Sequence, residues 1–183
     1  MEIPLFLLNA VLFPGGRLPL RVFETRYMDM VKESLRGNVP FGICTSEQPV
    51  GTLATIADWD MPQLGILNIV THGGQRFRIH SQRTLPSGLV RAEVALLPEP
   101  PVTPIPGDYA RLVPMLRALL EALEDGMPPE PYRFYDAAWV ACRWAELLPL
   151  PLAARQQILG LDDGVARLEA IYQFLEQGSG NPV

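Results

Sequence analysis

Residues 66–97 read ILNIVTHGGQRFRIHSQRTLPSGLVRAEVALL. Three short apolar runs, Ile66–His72, Phe77–Arg83 and Leu89–Leu97, are rich in β-branched residues, and VRAEVAL alternates apolar with polar at the period of a strand. Gly73-Gly74 and Pro86-Ser87-Gly88 lie between them, and glycine takes the positive φ that tight hairpins need. The stretch predicts three antiparallel strands. Upstream, Ile3–Leu8, Val39–Thr45 and Thr52–Trp59 read the same way, with Gly51 and Gly65 at the connections. Six short strands so closely joined predict a mostly antiparallel sheet that curls into a barrel. One helix interrupts them, from about Glu24 to Arg36, with Phe23, Tyr27, Met30, Val31 and Leu35 at helical spacing and Gly37-Asn38 as its stop.

Downstream the composition changes. PEPPVTPIPG, residues 98–107, holds five prolines in ten positions and predicts a stiff, extended linker. Four helices are expected beyond it. Leu112, Met115, Leu116, Leu119, Leu120 and Leu123 make the first stripe, with Pro114 at its start or at a kink. Asp136 caps a second helix that carries Trp139, Val140, Trp144 and Leu148 and ends before Pro149. A third runs from Leu152 to Leu159 and a fourth from Asp163 to Gln177. The predicted class is α+β: a barrel over residues 1–98, a linker over 99–107, a helical bundle packed on the barrel over 108–178, and a frayed tail over 179–183.

Charge excludes some functions. The 183 residues include 14 Arg and 1 Lys against 20 acids, for a net charge of −5. Residues 1–101 carry nine acids and nine bases, whereas 107–177 carry eleven acids and six bases, so the excess lies on the helical half. That balance disfavours a general nucleic-acid binder, which needs a basic face. No apolar run approaches the roughly 18 residues that span a bilayer, and MEIPLFLLNAVLFPGG lacks a basic n-region. Cys44 and Cys142 form no C-x-x-C pair and read as buried, reduced thiols. A cytoplasmic protein without membrane partners is expected.

Catalytic signatures are missing. The single lysine, Lys32, falls inside the first helix, so no P-loop can be built, and Ser34 is on another helical face, so no Ser–Lys dyad forms with it. No G-x-S-x-G elbow is present. His72 and His80 flank the Gly73-Gly74 turn, a spacing that allows them to approach across a hairpin with Cys44, but no H-x-x-x-H or carboxylate cluster accompanies them; they read as surface or hydrogen-bonded histidines, and a metal site is not expected. Asp58 and Asp60 flank Trp59 on one side of a strand and read as solvated. Arg76 and Arg78, with Phe77 between them, read as a solvent-facing basic pair able to grip an anion. Tyr132, Phe134, Tyr135, Trp139 and Trp144 read mainly as core.

Four segments now form a pattern: IPLFLLNAVLFPGGRLPLRVFETRY, VGTLATI, NIVTHGGQRFRI and GLVRAEV. Their order and spacing resemble the N-terminal substrate-binding domain of the ATP-dependent protease Lon, and DAAWVACRWAELLPLPLAARQQILGLDD resembles the helices that follow it. Thr25 departs from that pattern where proline is common, and His72 where an acid is common. The resemblance implies a PUA-like barrel with a helical extension and no ATPase or proteolytic module. It also implies a non-catalytic module that binds polypeptide or unfolded clients and works beside a separate protease. Cofactor and metal are not expected. Candidate binding residues are Arg21, Glu24, Arg26, Tyr27, Trp59, Arg76 and Arg78. Glu24 is expected to accept from backbone N–H groups at the helix start and Arg26 to pair with an acid. The alternative from another class is RNA binding on the barrel through Arg76, Arg78, Arg83 and Arg91.

Overall fold

Turn chemistry and apolar periodicity place the elements. The computed structural model describes residues 1–123 and 127–179; the rest of the expected tail, 180–183, lies outside them. Two compact units divide at Pro98, Met1–Pro98 and Glu99–Val183. In the first, β1 (Glu2–Leu7), β2 (Arg17–Val22), α1 (Thr25–Gly37), β3 (Phe41–Cys44), β4 (Val50–Gln63), β5 (Ile66–Thr84) and β6 (Val90–Leu96) follow in order. The sheet runs β2-β5-β4-β3-β1-β6 and is closed by a second pairing of β5 with β6. All pairings are antiparallel except β1 with β3.

The strand reading needs two corrections. Gly73-Gly74 is not a hairpin turn; it lies inside the 19-residue strand β5. A Cβ on Gly73 would stand 2.1 Å from the Phe13 carbonyl oxygen. The glycine is there because the turn at residues 13–16 docks backbone to backbone, Gly73 N–H donating to Gly16 at 2.9 Å and Gly15 N–H donating to Gly73 at 2.8 Å. The sixth strand is instead β2, whose RLPLRV alternates under the burial of Val22. Pro19 in its middle fits an edge strand, where a missing N–H breaks no ladder.

The inside of the sheet is filled by Phe6, Leu12, Tyr27, Met30, Val31, Phe41, Leu67 and Ile69. The inward face of α1 supplies Tyr27, Met28, Met30 and Val31, while Phe23 and Leu35, placed on that stripe from sequence, are exposed. Asn38 ends the helix in the left-handed region at φ 48°.

The second unit holds a 3₁₀ turn (Gly107–Tyr109), α2 (Leu112–Glu121), α3 (Ala137–Leu147), α4 (Leu152–Gly160) and α5 (Gly164–Ser179). Asp136 caps α3 by accepting from Ala138 N–H at 3.2 Å. Pro114 falls in the first turn of α2, where its missing donor costs nothing. Leu112, Leu116 and Leu120 are buried, whereas Met115 and Leu119 are exposed, so the stripe is narrower than the spacing suggested. Trp144 is fully buried and its Nε1 donates to the Leu112 carbonyl at 3.1 Å. Tyr132 and Tyr135 are exposed, which corrects their reading as core. The proline-rich segment is tied to this unit, since Thr103 accepts from Ala137 N–H at 2.8 Å.

Candidate functional site

β4 outruns its neighbour. Its pairing with β3 ends at Ala54, which faces Phe41, but its pairing with β5 continues to Gln63 opposite Ile66. With β2 on the far side of β5, residues 55–63, 66–72 and 17–22 form a three-stranded ribbon. Gly65 turns its tip at φ 84°.

Register sorts the ribbon's side chains. Leu20, Ile69 and Trp59 form one cross-strand row on the core-facing side. Ile69 is buried in the core, but Trp59 at the end of the row is 53% exposed. The opposite side carries Arg21, Asn68 and Asp60 in one row and Pro19, Val70 and Asp58 in the next. Residues 57–65 are exposed without interruption. They include Met61 and Leu64, the latter 96% exposed, and Phe23 beyond the end of β2 is 66% exposed. Large apolar groups held together in water mark a surface that has something to cover.

The edge of β4 away from β5 has no partner strand from residue 55 onward among the described residues. Trp59 N–H donates to its neighbour Asp58 Oδ1 at 2.9 Å. A depression of about 260 Å³ lined by Ser34, Leu35, Asn38, Val39, Thr55 and Ile56 opens where the edge meets the end of α1. On the outer face, burial first and the Arg17 charge second push the His72 imidazole below its ordinary value, which favours its neutral form.

Of the sequence candidates, Arg21 and Trp59 belong to this ribbon, on opposite faces. Glu24, Arg26 and Tyr27 form a clamp at the start of α1. Arg26 lies within 2.9 Å of the Glu24 carboxylate through Nε and donates to the Gly88 carbonyl at 3.0 Å, while its guanidinium rests 4.6 Å from the Tyr27 ring. Tyr27 is buried and stacks on Phe6 at 4.1 Å. The Glu24 side chain makes no cap; its backbone carbonyl accepts from Tyr27 and Met28 instead.

Arg76 and Arg78 do not form a solvent-facing pair. Both lie on the same face of β5, opposite Phe77, but Arg76 is 1% exposed because the chain leaving β6 covers it: Leu97 N–H donates to the Arg76 carbonyl at 2.9 Å and the Arg76 guanidinium donates to the Pro98 carbonyl at 3.2 Å; Arg78 alone is exposed. Arg83 and Arg91 converge on Glu2 at 2.7 and 2.8 Å. Hydrogen bonding from Arg83, then Arg91, holds that carboxyl below its usual range. The arginines named for RNA contact are therefore dispersed or neutralised. The histidines do not meet across a hairpin: both lie on β5, eight residues or roughly 26 Å apart along the strand.

Lys32 lies 3.8 Å from Asp29, and Ser34 donates its hydroxyl to the Val39 carbonyl at 2.6 Å, so neither is arranged as a nucleophile or its base. Among the described residues no group of three His, Cys, Asp or Glu could hold a metal ion, and no helix is long and apolar enough to cross a membrane. The sequence reading missed Leu20, Phe23, Met61 and Leu64. The signal was there in DWDMPQLG, where apolar residues recur at alternate positions after Trp59 and then at Leu64 before a turn glycine.

Comparison with known proteins adds a context to this geometry. A family model described as the ATP-dependent protease La (LON) substrate-binding domain matches residues 2–177. The crystal structure of a Lon N-terminal domain protein from Xanthomonas campestris is similar at a TM-score of 0.80 and 34% identity, covering 96% of this chain and 98% of that one. The N-terminal domain of the Mycobacterium avium complex Lon protease shares the fold at a TM-score of 0.69 and 19% identity, covering 96% and 98%. Protein cereblon of Danio rerio is 32% identical over 101 residues, which are 49% of this chain and 23% of cereblon. The match thus spans less than a quarter of that curated relative.

Proposed function

Because the chain belongs to the family of ATP-dependent protease La (LON) substrate-binding domains, we propose that it is a non-catalytic module that captures unfolded polypeptide on the β2–β5–β4 ribbon. The observation that carries this reading is the uninterrupted exposure of residues 57–65 with Trp59, Met61 and Leu64 among them. Covering apolar surface returns about 25 cal/mol per Å² before the entropy of ordering the client is subtracted, so a small patch of this kind supports weak, reversible capture. Reversibility suits a module that passes its client to a separate protease.

The non-catalytic reading is supported by what Lys32 and Ser34 do in α1, each engaged in a local structural contact. The burial of Arg76 and the pairing of Arg83 and Arg91 with Glu2 favour a protein client over RNA.

Fluorescence anisotropy with a permanently unfolded labelled client tests the reading. Saturable binding in the micromolar range is expected, weakened at least about tenfold when Trp59, Met61 and Leu64 are all changed to serine. Absence of binding up to about millimolar protein overturns it.

A further inference from the structure

The exposed apolar ribbon does not by itself say how a client lies on it. Its backbone does. A strand edge with no partner presents N–H and C=O groups that another chain can pair with, and natural proteins usually blunt such edges. Here the two outer edges of the ribbon differ. β2 is blunted by Pro19 in its middle. In β4 the nearest proline is Pro62, close to the tip, so residues 57–61, regular in register over Asp58–Asp60 between two irregularities, offer an edge clear of proline.

The Trp59 amide on that strand donates to the carboxylate of its own neighbour, Asp58, at 2.9 Å. An incoming carbonyl can replace that carboxylate without leaving a donor unpaired. Asp58 is then released to the outer face, which already bears Asp60 two residues on; the backbone of Asp60 pairs with Asn68, while its carboxylate makes no hydrogen bond or ion pair among the described residues. The core-facing side of the same strand carries Trp59 in its row with Leu20 and Ile69. Side chains alternate across a strand with period two, so a chain laid along this edge meets carboxylates on one side and apolar groups on the other.

From this juxtaposition we infer that the outer edge of β4 at residues 57–61 takes up an extended polypeptide as an added strand, selecting segments that alternate apolar with basic side chains. The depression between Thr55, Ile56 and the end of α1 receives one further side chain of that segment. This inference rests on the proposed function and adds the binding mode and the client's chemistry.

The test uses the full chain and a labelled peptide of about ten residues with valine at alternate positions and lysine at two of the others. Single N-methylation is walked along the peptide backbone. Affinity is expected to fall at least about tenfold when alternate amides are methylated and to stay within about twofold when their neighbours are. Asp58→Asn with Asp60→Asn is expected to weaken the lysine peptide about fivefold at roughly 20 mM salt and to leave a peptide with glutamine for lysine unchanged. Binding that ignores N-methylation or the aspartates overturns the added-strand mode while leaving capture of unfolded protein intact. No binding of this peptide or of any unfolded client overturns both. Sedimentation showing a dimer that the peptide disrupts assigns the edge to a second copy of this chain and overturns the inference.

Discussion

The Phe13 carbonyl oxygen lies 2.1 Å from the point where a Cβ on Gly73 would stand, and the two segments are locked there by hydrogen bonds between Gly73 and the Gly15-Gly16 turn. The obstacle is backbone, which cannot swing aside. Gly73→Ala should therefore destabilise the first unit by about 2 kcal/mol or more. Gly74→Ala, whose nearest neighbour is 3.4 Å away, should be tolerated far better. Urea unfolding of the two variants checks the contrast, and equal midpoints would refute it.

That glycine also shows what a sequence hides. Read along the chain, Gly73-Gly74 has the chemistry of a turn, and only the approach of a distant segment reveals that it is a strand's point of closest packing. Arg76 failed for a related reason: alternation rightly places it on one face with Arg78, but only the return of the distant chain at Leu97 and Pro98 shows that its part of that face is covered. The elements α1, β3, β6 and α3 were legible because apolar spacing, Asn38 and Asp136 all agreed locally. The ribbon was half legible. Trp59 stood out, but Met61 and Leu64 gain meaning only once β3 is known to stop pairing at Ala54.

Arg26 should prove a clamp and not a client contact. It ties the start of α1 to the Gly88 carbonyl and to Glu24. Arg26→Met is expected to cost about 1 kcal/mol of stability while the affinity for an unfolded client stays within about twofold. Thermal unfolding together with anisotropy separates the two roles; a large loss of affinity at unchanged stability would make Arg26 part of the binding surface.

The thiols should be silent in the folded chain. Burial pushes Cys44 up to about 12 and raises Cys142 as well, despite the guanidinium of Arg167 at 3.5 Å from its sulfur. Thiolate is the reactive form, so at about pH 8 a colorimetric thiol reagent should titrate neither cysteine until denaturant is added. Rapid reaction of either one in native buffer would contradict the packing described.

Glu146 in α3 should impose a pH dependence on the helical unit. Burial raises its carboxyl from 4.5 to about 7, opposed by Arg143 at 2.8 Å and by Arg155. Between those values the folded chain holds a proton that the unfolded chain has released. The group's contribution is complete below about pH 4.5 and is lost as pH rises through about 7. Glu146→Gln should flatten this component, seen as a smaller fall in unfolding midpoint between about pH 5 and pH 8. Identical pH profiles for the two proteins would disprove the shift.

Hydrogen exchange of the whole chain, with and without a saturating unfolded client, addresses client capture by the ribbon most directly. Amides of residues 57–65 are expected to exchange faster than those of the sheet core in the unbound chain and to slow at least about tenfold when client is added, with α3 and α5 unchanged. Protection confined to any other segment, with residues 57–65 exchanging as before, would contradict it.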